Sequence, residues 1–288
     1  MKKIALVNDL SGFGRCSLTA AIPVICAMGL QACPLPTAIL SAQTGFSNYF
    51  CDDYTDKMDA IIDTWSEMNI HFDGIHSGYL ASPLQIEKVL RFLNLFQTPQ
   101  TIYLADPVLG DNGVPIKSFN ESLLHGMRLL CEKSTVCTPN LTELCLLTDT
   151  NYKNLISYAT SPDYTNRIAE IAQNLLQGKT NQTIVVTGII RHTSNQTYIG
   201  NLAINSCDTI YVETVFTGKS FSGTGDLFAS ILCGSLVRGD SIHDAMHLAA
   251  NFLQPAIEEA CAANLSGKHG VPFENYLSIL CCHEKADF

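Results

Sequence analysis

Positively charged residues are scarce in this sequence. It has 17 Lys and Arg against 27 Asp and Glu, which gives a formal net charge of −10. This balance argues against a protein whose main task is to coat nucleic acid or an anionic membrane, because both tasks depend on a basic surface. It still allows a local phosphate site. We therefore expect a small-molecule partner, with no nucleic acid and no membrane.

The sequence also lacks an apolar run long enough for a membrane span or an export signal. Residues 19–40 are largely apolar, but Pro23, Pro34 and Pro36 would interrupt a spanning helix. After Lys3 only four apolar residues precede Asn8, fewer than the hydrophobic region of a secretory signal needs. We therefore expect a cytoplasmic protein.

The 12 cysteines lack the spacing of a disulfide framework or of a metal site. They are scattered and form no CxxC pair, so reduced thiols, mostly in the core, are expected. The one cluster is Cys281-Cys282-His283. Adjacent cysteines with so few partners are poorly placed to share one tetrahedral metal, and we expect none there.

Two nucleotide-binding fingerprints are incomplete. The run Gly-Lys-Ser at 218–220 resembles the end of a P-loop, but position 213 is Glu where that motif needs glycine. The Gly-Phe-Gly run at 12–14 lacks the third glycine of the dinucleotide motif, because position 17 is Ser. The sequence thus excludes a Walker A site and favours a substrate-side turn over NAD binding at 12–14.

What the sequence does contain is an alternation of short apolar runs with longer stretches of helical spacing. This pattern predicts parallel strands joined by helices, hence an α/β fold, with a central, mostly parallel sheet flanked by helices on both faces and one domain over 1–288. The predicted parallel strands lie at 4–7, 33–40, 74–76, 102–105, 135–137 and 184–187. The helices between them are predicted at 16–28, 56–68, 83–96, 120–131 and 165–176.

The pattern changes after residue 187. Residues 198–204 and 209–215 predict two antiparallel strands, and two helices follow. The first helix begins near Gly225 and ends at Gly239, and the second begins at Ser241. Residues 149–163 are rich in Thr, Asn, Ser and Asp and predict a long surface loop.

Polar residues follow the six predicted parallel strands at the point where each ends. In an open parallel sheet, ligands bind outside the carboxyl ends of the strands, so these residues are expected to converge on one rim. The rim residues are Asn8, Asp9, Ser41 to Gly45, Ser77, Gly78, Tyr79, Asp106, Thr138, Asn140 and Thr187.

The run Gly223-Thr-Gly-Asp226 precedes an apolar helix. Glycines and free backbone N–H groups at a helix start bind anions. A carboxylate there would repel phosphate unless it has its own task, and accepting a proton from an attacking hydroxyl is such a task. Electrostatic capping of the helix by Asp226 is the alternative, and the residues alone leave both open.

The run Asn140-Leu-Thr-Glu143 also has two interpretations. It is a typical helix start, with Asn at the N-cap and Glu three residues later. Facing Asp106 across the rim, the same residues are candidates to organise Mg²⁺ and its waters. Both interpretations hold together. Asp106 alone fits a turn, and Thr187 alone fits a strand-end hydroxyl.

Five motifs in this order resemble the pyridoxal (vitamin B6) kinases of the ribokinase superfamily, and the resemblance spans nearly the whole chain. It implies transfer of the ATP γ-phosphate to the 5′-hydroxymethyl group of pyridoxal, pyridoxine or pyridoxamine, with Mg²⁺, and a homodimer. The motifs are Ser77-Gly-Tyr-Leu80, Asp106-Pro-Val-Leu-Gly-Asp111, Thr138-Pro-Asn-Leu-Thr-Glu143, Val186-Thr187 and Gly223-Thr-Gly-Asp-Leu-Phe228.

The resemblance also implies roles for single residues. Asp226 is the base, and the N–H groups of Gly223, Thr224 and Gly225 form the anion hole. Asp106 and Glu143 act on the metal. Asp106, Asn140, Glu143, Thr187, Gly223 and Thr224 bind ATP, and Asp9, Ser11, Leu40, Thr44 and Tyr79 form the acceptor side.

Position 9 departs from the pattern, because pyridoxal kinases carry Ser where this chain has Asp9. The Asp-x-Ser-Gly run at 9–12 looks more like hydroxymethylpyrimidine kinases of the thiamin pathway, but those typically carry Cys at the place of Asp226. Vitamin B6 is therefore the favoured substrate class, and hydroxymethylpyrimidine is the alternative. A carboxylate at position 9 suggests a preference for pyridoxamine, whose ammonium it could pair with.

Two further functions are disfavoured by the sequence. Sugar kinases of the superfamily normally carry an N-terminal lid and a di-glycine segment, and neither is evident in the first fifty residues. A non-catalytic vitamer or nucleotide carrier would be expected to lack the base, and Asp226 is present.

Lys219, just before the glycine turn, could contact ATP phosphates or point into solvent. The second position is favoured.

Overall fold

The first strand, β1 (Lys3–Ser11), carries apolar side chains on both faces of its sheet. Ala5 and Val7 pack into one hydrophobic core, whereas Ile4 and Leu6 pack into another. A strand buried on both faces is typical of a parallel sheet covered by helices. β1 is accordingly an inner strand, paired in parallel with a neighbour on each side.

The computed structural model describes residues 1–176 and 180–281. In chain order its other strands are β2 (Gln31–Leu40), β3 (Cys51–Asp53), β4 (Gly74–Ser77), β5 (Ile102–Ala105), β6 (Gly110–Asp111), β7 (Val114–Pro115), β8 (Val136–Cys137), β9 (Thr183–His192), β10 (Thr197–Ile204) and β11 (Thr209–Val215). Together with β1, eight of these strands form one nine-stranded sheet in the order β11-β10-β9-β8-β5-β4-β1-β2-β3, and β6 pairs with β7. From β9 to β2 all pairs are parallel, and the pairs at both edges are antiparallel.

Helices cover both faces of the sheet. They are α1 (Ser17–Ala27), α2 (Thr55–Glu67), α3 (Pro83–Phe96), α4 (Glu121–Lys133), α5 (Leu141–Leu147), α6 (Tyr152–Ile156), α7 (Tyr164–Leu176), α8 (Thr224–Arg238), α9 (Ile242–Ala262) and α10 (Ser278–Cys281), with 3-10 turns at Gly267–His269 and Phe273–Tyr276. One core contains side chains of α1, α8, α9 and α10, and the other contains those of α2 to α7. The predicted α/β fold, with its mostly parallel sheet between two helical layers, is confirmed.

The six predicted parallel strands and the antiparallel pair after them are all present. The five inter-strand helices and the two helices after the pair lie within a few residues of their predicted bounds. Because β1, β2, β4, β5, β8 and β9 run in the same direction, their carboxyl ends meet at one edge. The fold therefore provides the rim that the sequence predicted.

Three predictions about bounds and loops were wrong. β1 continues past residue 7 to Ser11, because its pairing with β2 shifts register between Asn8 and Leu10 and then resumes. β9 continues past residue 187 to His192, because its second half pairs with β10. The predicted loop at 149–163 contains helix α6, whose Leu155 is buried and whose start is capped by the Asn151 side chain. The short strands β3, β6 and β7 gave no recognised signal.

The cysteines of the described ranges carry free thiols, of which five are buried, two are partly buried and four are exposed, so fewer than expected lie in the core. Of the C-terminal cluster, Cys282 and His283 lie outside the described residues. Within those residues no helix has the length and apolar character of a membrane-crossing segment.

Phe92 of α3 lies at the centre of an aromatic cluster with Trp65, Phe72 and Phe96 and has no exposed surface. We expect Phe92→Ala to lower the free energy of unfolding by about 3 to 5 kcal/mol, because it removes a large buried side chain and leaves a cavity. Urea unfolding measures this. Leu95→Ala on the exposed face of the same helix is the control, with a change of less than about 0.5 kcal/mol. Equal effects would contradict this packing.

Candidate active site

The glycine turn before α8 is shaped by a close backbone contact. Gly223 is the N-cap of α8 and has a φ of 83°, in the left-handed region that favours glycine. A Cβ at this position would lie 1.8 Å from the carbonyl oxygen of Arg15. Gly225, by contrast, has open space where its Cβ would be. The segment after β1 therefore packs closely against Gly223, whereas the side of the turn at Gly225 faces open space.

Asp226 lies in the first turn of α8, and its carboxylate accepts a hydrogen bond from the Asn8 side chain. The Asn8 Nδ2 lies 3.2 Å from Oδ1, and the backbone N–H of Ser17 favours the charged form, which lowers the pKa of Asp226. Burial, with a smaller contribution from the charge of Asp9, nevertheless raises the pKa of Asp226 to about 6. A carboxylate with this pKa can accept a proton near neutral pH.

Asn8 links the strand ends to this carboxylate. While its Nδ2 donates to Asp226, its Oδ1 accepts from the backbone N–H groups of Asp9 and Tyr79, each at 2.9 Å. The neighbouring Gly78 leaves the necessary room, because a Cβ there would lie 2.4 Å from the Asn8 amide nitrogen. The ends of β1 and β4 and the start of α8 are thus held together by one side chain.

A cavity of about 390 Å³ opens in front of the glycine turn. Its polar wall joins the ends of β5, β8 and β9 to the start of α8, and its apolar wall comes from β10, β11 and α9. The cavity contains eight of the predicted site residues: Asp106, Asn140, Glu143, Thr187, Gly223, Thr224, Gly225 and Asp226.

Two acidic residues face each other in this cavity. Burial, and then the charge of Asp226, raises the pKa of Asp106 to about 7. The pKa of Glu143 is also well above its usual range, because of burial and the charge of Asp106. A divalent cation would relieve this repulsion, and Mg²⁺ prefers oxygen ligands of which only a few come from protein carboxylates. The two residues therefore fit the predicted magnesium site.

The interpretation of residues 140–143 as a capped helix start is confirmed. Asn140 Oδ1 accepts from the N–H groups of Thr142 and Glu143, while Glu143 Oε2 accepts from the N–H of Asn140 at 2.8 Å, which completes a capping box. Glu143 Oε1 accepts from the N–H of Leu109, and Asn140 Nδ2 donates to the carbonyl of Gly110. Both side chains thus fix the segment that follows Asp106.

The five residues predicted for the acceptor side lie apart from the cavity, on β1, β2 and the segments after β2 and β4. Asp9 is 6% exposed, and its carboxylate accepts from the hydroxyls of Ser11 and Ser17. Leu40 is buried at the end of β2, where its carbonyl accepts from the N–H of Gly12. Tyr79 is partly buried, and Thr44 lies in an exposed turn.

Sequence reasoning missed several residues around the site. The apolar wall includes Ile199, Val212, Leu253 and Ile257. The helical spacing of Leu253 and Ile257 is also typical of residues that face the core. The spacing therefore does not distinguish a cavity wall from the core. The sequence identifies Asn8 as a strand-end residue without a role, and position 17 only as a departure from the dinucleotide motif. Lys219 is exposed and donates to Asn264 Oδ1.

The chain is similar in sequence and structure to known proteins. The sequence profile of the phosphomethylpyrimidine kinase family matches residues 14–272. The chain belongs to this family. Its structural neighbours include pyridoxal kinases of the ribokinase-like superfamily, so the predicted resemblance is confirmed. The family implies a kinase that uses ATP and typically a metal ion.

Three relatives are associated with two kinds of substrate. A candidate phosphomethylpyrimidine kinase of Bacteroides thetaiotaomicron, solved with pyridoxal, is 38% identical with a TM-score of 0.88, over 99% of this chain and 97% of that one. The pyridoxal kinase of Lactobacillus plantarum is 27% identical with a TM-score of 0.85, over 97% and 96%. A hydroxymethylpyrimidine/phosphomethylpyrimidine kinase of Bacillus subtilis is 28% identical over 65% of this chain, which spans just under two thirds, 64%, of that relative.

The raised pKa of Asp226 predicts a pH-dependent cost in stability. Between pH 3.8, the usual value, and about 6 the unfolded carboxyl is ionised while the folded one stays protonated, so stability falls as pH rises through this window. Because the carboxyl keeps partial exposure, we expect Asp226→Asn to raise the free energy of unfolding by about 1 to 2 kcal/mol at pH 8 and by little at pH 4.

Urea unfolding of wild type and variant at both pH values measures this difference. The exposed Asp208→Asn is the matched control, with a change below about 0.5 kcal/mol at each pH. A variant no more stable than wild type at pH 8 would contradict a raised pKa at Asp226.

Proposed function

We propose that this chain transfers the γ-phosphate of ATP to the 5′-hydroxymethyl group of a vitamin B6 vitamer, which would be pyridoxal, pyridoxine or pyridoxamine. The observation that carries the proposal is the carboxylate of Asp226 in a glycine turn at a helix start, inside a cavity, with a pKa raised to about 6. Burial makes ionisation of a carboxylate less favourable, so a carboxylate whose only role was to cap the helix would be more stable if it were exposed.

The proposed step is a direct phosphoryl transfer. The acceptor hydroxyl oxygen forms a bond to the γ-phosphorus, the bond between that phosphorus and the bridging oxygen breaks, and ADP leaves. The hydroxyl proton moves to Asp226, which is held in place by Asn8. Positioning and proton transfer are the main contributions that a protein makes to this chemistry.

The transferring phosphoryl group would bind at the start of α8. The N–H groups of Gly223, Thr224 and Gly225 and the positive end of the helix dipole favour negative charge there. Asp106 and Glu143 would hold Mg²⁺, with Asn140 and Thr187 beside them on the ATP side. When bound, the metal would neutralise phosphate charge. The apolar wall around Ile199 and Leu253 suits the adenine ring.

Two features support a vitamin B6 substrate over hydroxymethylpyrimidine. The first is Asp226, because hydroxymethylpyrimidine kinases typically carry Cys at that place. The second is the 38% identical Bacteroides relative, whose structure holds pyridoxal. Phosphorylation of hydroxymethylpyrimidine is the second candidate, supported by the run at 9–12 and by the Bacillus relative. Asp9, Ser11, Leu40, Thr44 and Tyr79 would form the acceptor side.

We also propose where this activity takes place and how the chain assembles. Salvage of vitamin B6 to its 5′-phosphate would be a cytoplasmic function, because ATP and the free vitamers are available there. A homodimer is proposed from the family resemblance. Gel filtration with light scattering measures the assembly directly.

We expect Asp226→Asn to bind ATP with near-normal affinity and to lose at least about a hundredfold in kcat, the usual scale for loss of a general base. Wild-type kcat/KM should also fall as pH decreases through about 6, because protonation removes the base. Coupled ADP release measures turnover, and calorimetry measures ATP binding. Near-normal turnover of the variant would refute this role, and an inactive wild type that binds ATP would favour a non-catalytic carrier.

Mg-ATP consumption with pyridoxal, pyridoxine, pyridoxamine and hydroxymethylpyrimidine, compared side by side, tests the substrate class. We expect the three vitamers to be turned over with higher kcat/KM than hydroxymethylpyrimidine. We also expect a preference for pyridoxamine of about tenfold, since a charge-assisted pair with Asp9 contributes roughly 1.5 to 3 kcal/mol at best. Asp9→Ser should remove that preference. Equal efficiencies for pyridoxamine and pyridoxal, unchanged in Asp9→Ser, would contradict this pairing.

A further inference from the structure

A β-bulge lies where β9 and β10 pass along the edge of the cavity. The pairing of the two strands shifts register at Asn201, which lies opposite two residues of β9, Thr187 and Gly188. The φ of Gly188 is 67°, in the left-handed region, as in the type of bulge that carries glycine at its first position. All three residues line the cavity. Bulges are common beside active sites, where they change the direction of a side chain.

The side chain of Asn201 replaces a backbone hydrogen bond that the bulge interrupts. Its Oδ1 accepts from the backbone N–H of Gly188 at 3.2 Å. This bond fixes the orientation of the amide, because exchanging its oxygen and nitrogen would bring two donors together. Among the described residues Nδ2 has no hydrogen-bond partner. Asn201 therefore carries a free, oriented donor at the cavity.

Asn201 lies on the border between the polar and the apolar wall. Its neighbours in the cavity lining are Ile199 on β10 and Val212, its partner on β11, and both belong to the wall proposed for adenine. Through Gly188 it is bonded to the residue after Thr187, on the wall proposed for the phosphates. In a nucleotide the sugar joins the base to the phosphates. The sugar is therefore the part that reaches Asn201.

We propose that Asn201 recognises the ribose of the nucleotide: its Nδ2 donates to a ribose hydroxyl, while the N–H of Gly188 holds the amide in orientation. This role of Asn201 rests on the proposed function, because that function places ATP in the cavity. The phosphates have other partners, namely the N–H groups at the start of α8 and a divalent cation. The phosphate donor is thereby narrowed to ribonucleotides, since a site that hydrogen-bonds a hydroxyl disfavours the analogue without it.

The first test removes the hydroxyls from the nucleotide and the amide from the protein. In calorimetry without acceptor, we expect wild type to bind Mg-ATP about fivefold more tightly than Mg-dideoxy-ATP, which lacks both ribose hydroxyls, because one neutral hydrogen bond has an effect of this size. Asn201→Ala should bind the two nucleotides within about twofold of each other. The same preference in both proteins, or no preference in wild type, would overturn the proposal.

Asn205→Ala is the matched control. Asn205 lies in the turn between β10 and β11, and its Oδ1 accepts from the backbone N–H groups of Cys207 and Asp208, each at 2.8 Å. It also fixes the hairpin backbone with an amide oxygen, but it is not among the described residues that line the cavity. This variant should keep the wild-type preference for ATP. Loss of the preference here as well would mean that hairpin stability alone sets it, and would overturn the proposal.

Turnover kinetics distinguish sugar binding from an effect on the chemical step. Because the sugar is remote from the transferring phosphoryl group, Asn201→Ala should raise KM for Mg-ATP about fivefold and leave kcat within about twofold of wild type. A loss in kcat at unchanged KM would overturn the proposal. A wild type that prefers ATP in binding but phosphorylates no acceptor would refute the proposed function and support the ribose contact. A wild type that binds neither nucleotide would overturn both.

Hydrogen exchange tests the orientation of the amide in the free protein. The Gly188 amide, followed by NMR, should exchange at least about fivefold faster in Asn201→Ala than in wild type, because the variant lacks the oxygen that accepts from it. Equal exchange rates would overturn the orientation on which ribose recognition depends. Thermal unfolding of each variant shows that it is folded.

Discussion

The close approach of two backbone segments is the constraint on which the site depends. The Arg15 carbonyl lies where a Cβ of Gly223 would be, so the segment after β1 and the turn before α8 form one unit. That contact places the start of α1 beside the start of α8. Asp226 lies in the first turn of α8, where the Asn8 side chain of β1 donates to its carboxylate. Any larger side chain at position 223 would separate the proposed base from its supports.

The site concentrates acids in a small volume. Asp9, Asp106, Glu143 and Asp226 all have pKa values above their usual range, chiefly because of burial. The described residues that line the cavity include no Lys or Arg. A triphosphate bound there would depend on backbone N–H groups, a helix dipole and a divalent cation for its positive partners. Folding stability is thus lowered where the proposed chemistry needs proton acceptors, as is common at functional sites.

Much of this arrangement was predictable from the sequence because it follows from short-range patterns. Apolar alternation located the six parallel strands, and topology alone brought Asp106, Asn140 and Thr187 to one rim. The apolar wall was not predictable, since Leu253 and Ile257 show the same helical spacing as core residues. The left-handed φ of Ser17 could not be predicted either, because it depends on tertiary packing. The short helix α6 depends on burial of Leu155, which its polar sequence does not indicate.

The chain order of the site elements has a consequence for how such proteins change. The residues assigned to the acceptor side lie between positions 9 and 79, whereas the cavity is lined by residues from Asp106 to Ile257. Substitutions in the first third would therefore change the proposed acceptor side while the lining of the cavity stays intact. Asn8, which joins the two parts, is the exception. Under the proposed function, this separation would let the accepted ring change through substitutions in one short stretch of sequence.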